Sequence, residues 1–199
     1  MLRYNIVVSA NKNDVIGIDN QLLIECKDDL RRFYDITTGT YPEGDYNICI
    51  MGYNTWMSIP EIVRPFKKRL NIIISSNHAI KESENCKVFI TIGDAFEWSL
   101  LNAKGKIFVI GGEMLFNECV TNYKNNLDCI YLTRFQDYFD SERSRKLPKD
   151  IFLNKHLIYE EKPINSSCQI YNSELTEINH SFEIYQSDHF KNQSELQYL

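Results

Sequence analysis

The sequence predicts one α/β domain with a mainly parallel central sheet, helices on both faces and an antiparallel hairpin at the C-terminal end. Three observations carry this. Short apolar, β-branched runs alternate with amphipathic segments along most of the chain, the pattern of a sheet covered on both sides. One stretch, "IFVIGGEMLF" from Ile107 to Phe116, runs strand, Gly pair, helix, a common way to present backbone N–H groups to a phosphate. After Arg134 the alternation stops, and two strand-like runs follow with no helix expected between them.

Taken in order, "YNIVVSA" (4–10) reads as a buried strand and "NKNDVIGIDNQ" as a loop, from its Asn, Asp and Gly content. "DDLRRFYDIT" (28–37) has helical spacing, with acids at the start where the helix dipole favours them. "YPEGD" is a turn. "NICIM" (47–51) is a strand, and "YNTWMSIP" a short helix stopped near Pro60. "RLNIIISS" (69–76) and "CKVFI" (86–90) are strands, with "GDAFEWSLLN" (93–102) an amphipathic helix after them. "KIFVI", the Gly pair, "EMLFNECV" as helix and "LDCIYLTRF" as strand complete the alternation. "QDYFDSERSRKLPKD" is a charged loop, and "KHLIYEEK" and "HSFEIYQS" form the late antiparallel pair.

A chain of 199 residues, 43% of them hydrophobic, can bury one good core. A net charge of −5 argues against nucleic acid or an anionic membrane as the main partner, though not against an anionic small ligand held by local basic residues. No apolar run is long enough to span a membrane, and the first residues turn polar too quickly for a signal peptide. The six cysteines form no C-x-x-C pair and the four histidines are scattered, so no zinc pattern appears and no metal is expected. Several cysteines sit inside apolar runs, which reads as reduced thiols in a cytoplasmic core.

Chemistry concentrates at a few positions. Asp29 and Asp28 both open the first helix, and either suits the helix dipole. Asp29 shares a helix face with Phe33, at i, i+4, and an acid beside a planar aromatic suits a flat heterocycle carrying N–H donors. In an apolar cleft its pKa would rise. Arg69 leads into a very apolar strand. It is either a snorkelling edge residue or a bidentate clamp for a carboxylate. Gly111-Gly112 lacks the G-x-G-x-x-G spacing of the common dinucleotide fold, and a Gly pair after a strand can also merely relieve crowding.

In order and spacing, "VIGIDNQL", "DDLRRF", "MGYNTWMSIP", "RPFKKRLNIIISS", "VIGGEMLF", "YLTRF" and "FEIY" resemble the dihydrofolate reductase family, over about Tyr4 to Tyr185. The resemblance implies hydride transfer from NADPH to the pterin of dihydrofolate, and antifolate binding. It implies that Asp29 binds the pterin's amino group and adjacent ring nitrogen and assists protonation, supported by Thr133. Val8, Ser9, Leu30, Phe33, Ile59, Phe66 and Ile110 would contact the folate, and Arg69 would clamp its glutamate carboxylate. Ser9, Ile16 and Gly17 would meet the nicotinamide side. Gly52, Thr55, Ile74, Ser75, Ser76, Gly111, Gly112, Glu113, Met114 and Phe116 would hold the rest of the cofactor.

The chain departs from the family pattern in places. Leu23-Ile24 stand where the family usually has Pro-Trp, Tyr53 and Asn54 where it usually has basic residues for the 2′-phosphate, and Phe116 where it often has Tyr. His78 with Ser75 and Ser76 is an alternative phosphate partner. These departures keep a degenerate, weakly active or non-catalytic folate-binding domain as a second reading, and the riboflavin-pathway reductase on the same fold as a third. The domain is expected to span 1–187. In the tail, 188–199, "ELQYL" resembles the opening of thymidylate synthase as it follows the reductase in bifunctional enzymes. The expectation there is a linker and the start of such a domain.

Overall fold

The structure, a computed structural model, describes residues 1–38, 46–76, 80–102 and 105–191. In chain order the elements are β1 (Tyr4–Ala10), β2 (Val15–Ile18), β3 (Gln21–Leu22), β4 (Ile24–Cys26), α1 (Lys27–Thr38), β5 (Asn47–Gly52), α2 (Tyr53–Ser58), β6 (Arg69–Ile74), β7 (Cys86–Phe89), α3 (Ile92–Asn102), β8 (Ile107–Gly111) and α4 (Glu113–Asn122). β9 (Leu127–Phe135), β10 (Ser144–Lys146), β11 (Lys155–Glu160), β12 (Ile164–Ile170) and β13 (Leu175–Ser187) follow. The turn expected at "YPEGD" lies outside the described residues.

Ten strands form the main sheet, in the order β4-β12-β13-β9-β1-β8-β5-β6-β7, with β11 pairing β13 off this path. From β9 to β7 every pairing is parallel. From β9 outward through β13, β12 and β4 every pairing is antiparallel. β9 is therefore the seam, parallel to β1 on one side and antiparallel to β13 on the other.

Strand side chains alternate between faces, so adjacent residues enter different cores. Ile6, Ile48, Ile50 and Ile72 pack with Phe96 of α3 and Leu115, Phe116 and Cys119 of α4. Their neighbours Val7, Cys49, Met51 and Ile73 face the opposite side, where Phe33 and Ile36 of α1 and Trp56 of α2 cover them. Each buried Ile contributes about 1.5–3 kcal/mol relative to exposure, which explains why these runs are mostly apolar.

Three details differ from the sequence reading. The stretch read as a loop after β1 contains β2 and β3, which join β10 in a small antiparallel sheet; the charged "loop" 136–150 supplies β10. A Cβ at Gly17 would lie 2.6 Å from the Gln21 carbonyl oxygen, so the β2–β3 turn admits only glycine there. The two late runs, β11 and β13, pair antiparallel as read, but an unforeseen strand, β12, lies between them and forms the hairpin with β13; β12 is mostly polar and exposed, and this hid it. β13, thirteen residues long, pairs β12 with its first half and β11 with its second. Beyond it, Asp188–Phe190 packs back on the domain, with Phe190 buried and the Arg3 guanidinium 4.5 Å from its ring centre. The "ELQYL" segment lies outside the described residues.

Candidate active site

The helix α1 places Asp29, Phe33 and Thr37 on one inward face, each one turn from the next. Asp29 and Thr37 are its buried residues. Ser9 and Thr133 are register partners on β1 and β9, and both hydroxyls lie close enough to the Asp29 carboxyl to favour its anion. Burial dominates its electrostatics and pushes the Asp29 pKa up to about 6, while the two hydroxyls and the Arg32 charge pull the other way. Arg32 is itself steered by Glu161, at 3.9 Å, and by the Phe182 ring, 4.2 Å away. Asp28, the competing acid, does something else. It accepts a 2.6 Å bond from Ser166 Oγ and pairs with Arg31 at 3.1 Å. Of the two acids, Asp29 is the one held in an apolar, hydroxyl-lined setting.

Phe33 continues the wall. Its ring lies 5.5 Å from that of Phe66, and Phe66, Ile59 and Ile110 pack in one cluster. Val8 is half-buried on β1, while Leu30 is half-exposed at the mouth. A narrow cleft lined by Ser9, Ala10, Val15, Ile16, Leu23 and Ile24 shares Ser9 with the acid. Leu23 and Ile24 are buried against Val15, Ile18 and Phe135, so they serve as core side chains with no donor to offer.

Arg69 is buried at the start of β6. Its Nε donates to the Lys67 carbonyl at 3.1 Å and its Nη1 to Thr37 Oγ1 at 2.9 Å; neither bond uses Nη2. Three rings surround it, with centres 4.6 Å (Phe66), 5.2 Å (Tyr34) and 5.7 Å (Phe33) from the guanidinium carbon. Burial lowers its pKa, but an arginine stays charged. A snorkelling residue would put its charge in water. This one fixes its charge beneath the aromatic wall.

At the C-terminal ends of the parallel strands β5 and β8, three glycines converge. A Cβ on Gly52 would lie 3.8 Å from the Gly112 nitrogen, and one on Gly112 would lie 3.2 Å from Thr55 Oγ1. Gly111 has φ of +121°, a conformation only glycine adopts comfortably, and the Gly111–Gly112 peptide is cis. Gly52 and Gly112 are the N-caps of α2 and α4, and neither helix has a side-chain cap. First-turn N–H groups at these two ends thus have no side-chain cap among the described residues. Phe116 is buried beneath Gly111, with a would-be Cβ contact of 3.5 Å, and Met114 is exposed. Glu113 is turned toward β10, accepting from the Lys146 amide at 3.1 Å and facing Arg145 at 3.6 Å. Ile74 is half-buried at the end of β6. Ser75, just past it, donates its amide to the Phe89 carbonyl, and Ser76 is exposed. His78 lies outside the described residues. Ile16 and Gly17 belong to β2.

Sequence reasoning did not single out Arg32, Glu161 or Phe182. Arg32 lies between Asp29 and Phe33 on α1, but its partners come from the distant β11–β12 turn and β13, so only the sheet order reveals them.

These parts define a class: an α/β enzyme domain in which a glycine cradle at strand ends adjoins an apolar wall with one buried acid and one buried cation. The chain belongs to the dihydrofolate reductase family, whose pattern, described as "Dihydrofolate reductase", matches residues 3–187. The chain is 30% identical over 190 residues to a dihydrofolate reductase of Rattus norvegicus, covering 92% of this chain and 96% of the relative. It is 29% identical over 196 residues to a viral dihydrofolate reductase of Saimiriine herpesvirus 2, covering 94% and 85% respectively. Against a bifunctional dihydrofolate reductase-thymidylate synthase of Arabidopsis thaliana the identity is 33% over 147 residues, 70% of this chain and 25% of that relative. The chain therefore spans about a quarter of the length of the bifunctional plant relatives it matches. Among the described residues no helix is long and apolar enough to cross a membrane.

Proposed function

We propose that this chain reduces 7,8-dihydrofolate to 5,6,7,8-tetrahydrofolate with NADPH. The observation that carries the reading is Asp29, a single buried acid beside the Ser9 and Thr133 hydroxyls, on the helix face that also carries Phe33 and Thr37, with Arg69 bonded to Thr37. A pKa near 6 leaves the carboxyl able both to accept N–H bonds as an anion and to hold a proton for a ring nitrogen near neutral pH. Phe33, Ile59, Phe66 and Ile110 exclude water from the ring they enclose, and Arg69 takes the carboxylate at the far end of the substrate.

The residues present fit the cofactor. Gly52, Gly111 and Gly112 form a cradle that a Cβ would fill, at two uncapped helix N-termini. NADPH, when bound, supplies the hydride. Gly52, Thr55, Gly111 and Gly112 would hold its phosphates, with Ile16 and Gly17 closing over the nicotinamide side. Following NADPH oxidation with dihydrofolate tests the whole reading. Turnover is expected. Methotrexate binding without turnover would leave only a folate-binding domain.

Cofactor selectivity is where this chain departs from its family. Tyr53 and Asn54 open α2 with no basic side chain, and losing a charge-assisted contact to the 2′-phosphate costs about 1.5–3 kcal/mol. KM values for NADPH and NADH should therefore lie closer together than a phosphate-clamping reductase allows; a strong, unimpaired preference for NADPH would show that other residues bind the phosphate. A thymidylate synthase domain joined to the reductase, as the names of the plant relatives print, is the partner this reading proposes. Reading the coding sequence beyond Leu199 tests it, and a stop codon with no synthase following would remove it.

A further inference from the structure

A second group of chemically capable residues lies away from the glycine cradle, at the antiparallel edge of the sheet. Cys26, Cys168 and His180 are far apart in sequence, and the fold brings one ligand atom from each to within 4.8 Å of the others. Cys26 and Cys168 are direct partners across β4 and β12, and His180 reaches them from β13. All three are buried, with Cys168 and His180 fully inaccessible and Cys26 at 1% exposure. Their surroundings are apolar: Ile24, Ile178 and Phe135 line the cluster, and the His180 ring lies 5.3 Å from that of Phe135 and 5.4 Å from that of Phe182.

Buried thiols alone are ordinary core residues. The histidine is not ordinary. Both of its ring nitrogens are buried with no hydrogen-bond partner, whereas buried polar atoms in proteins are nearly always bonded. The backbone at Ile178 lies close enough to act electrostatically but outside bonding geometry. Desolvation favours the neutral ring, the form that ligates metals. We propose that Cys26, Cys168 and His180 form a buried zinc site. Zn–S distances of about 2.3 Å and Zn–N distances of about 2.0–2.1 Å put donors roughly 3.5–4 Å apart, inside the 4.8 Å within which these three donor atoms already lie. Two thiolates and one Zn²⁺ sum to zero charge, as an apolar setting requires. Uptake breaks two S–H bonds, forms two Zn–S bonds and releases two protons to solvent.

Cys26 ends β4 and Lys27 begins α1, so a metal here anchors the helix turn that carries Asp29. The sequence showed no zinc pattern because the ligands come from three strands joined only by the sheet.

The test uses the purified, reduced chain stripped with a chelator and titrated with Zn²⁺ against a competing chromophoric chelator. Co²⁺ serves as a spectroscopic stand-in. One zinc per chain, a raised Tm and a thiolate-to-cobalt charge-transfer band are expected. Cys26→Ser, Cys168→Ser and His180→Gln should each weaken binding by at least about 100-fold, since loss of even an outer-shell partner commonly costs 10–100-fold. His156→Ala, at the surface pair with Asp188, should leave it unchanged. The proposal is overturned if the wild type takes up no zinc, takes up copper(I) but not zinc, or binds cobalt without a thiolate band. Binding that survives the Cys and His substitutions overturns it too, as does a Cys26–Cys168 disulfide whose reduction yields no zinc uptake. The cobalt spectrum of the wild type decides the matter even if a variant fails to fold.

Discussion

Asp29 is stabilised and penalised by the same surroundings. Its hydroxyl partners favour the anion, and burial opposes it more strongly. An acid whose pKa is raised from 3.8 unfolded to about 6 folded holds its proton more tightly in the native state between those values. Folding stability from this group is therefore greatest below about pH 4 and falls as pH rises through 6, by at most about 3 kcal/mol. Asp29→Asn lacks this penalty. Urea unfolding should find the variant as stable as the wild type near pH 4 and more stable above pH 7; a uniform loss of stability at both would contradict the assignment. Arg69 poses the complementary case, a buried cation bonded only to neutral oxygens among the described residues. Arg69→Lys keeps the charge and loses the planar fork. KM for dihydrofolate should rise at least about tenfold, with kcat much less affected, and a pterin substrate lacking the glutamate should show little difference. An equal effect on both substrates would mean that Arg69 acts through packing.

At the scale of elements, the parallel half was legible because most of its strands are buried on both faces and read as largely apolar runs. β1, β5, β6, β8 and β9 appear in the sequence nearly to the residue. The edge was not legible. β12, "INSSCQI", carries polar residues because one side faces solvent, and β2, β3 and β10 are too short for a period to show. The site divides the same way. Asp29 and the Gly pair stood out by position and type, whereas the choice between Asp28 and Asp29 needed the Ser9–Thr133 register. Gly17 tests whether β2–β3 is a formed element. Gly17→Ala drives a methyl against the Gln21 carbonyl and should destabilise the domain by about 1–3 kcal/mol, measured by equilibrium unfolding. A neutral effect would show that the segment is a pliable loop, as its composition first implied.

Across the whole molecule, the proposed site lies where two kinds of sheet meet. The parallel half supplies the cradle at Gly52, Gly111 and Gly112. The seam strand β9 supplies Thr133, and β13 supplies Phe182 to steady Arg32 near the acid. Helix α1 crosses between them, with its first turn joined to the edge strand that ends in Cys26. The antiparallel edge is thus more than a cap on the sheet, since β4 leads directly into the helix that carries Asp29. The most direct measurement of this account is the pH dependence of kcat/KM for dihydrofolate in the wild type and in Asp29→Asn. The wild-type value should fall as pH rises above about 6, and the variant should be low and flat across the range. Near-wild-type turnover in Asp29→Asn, or a wild-type profile with no inflection near that pH, would contradict it.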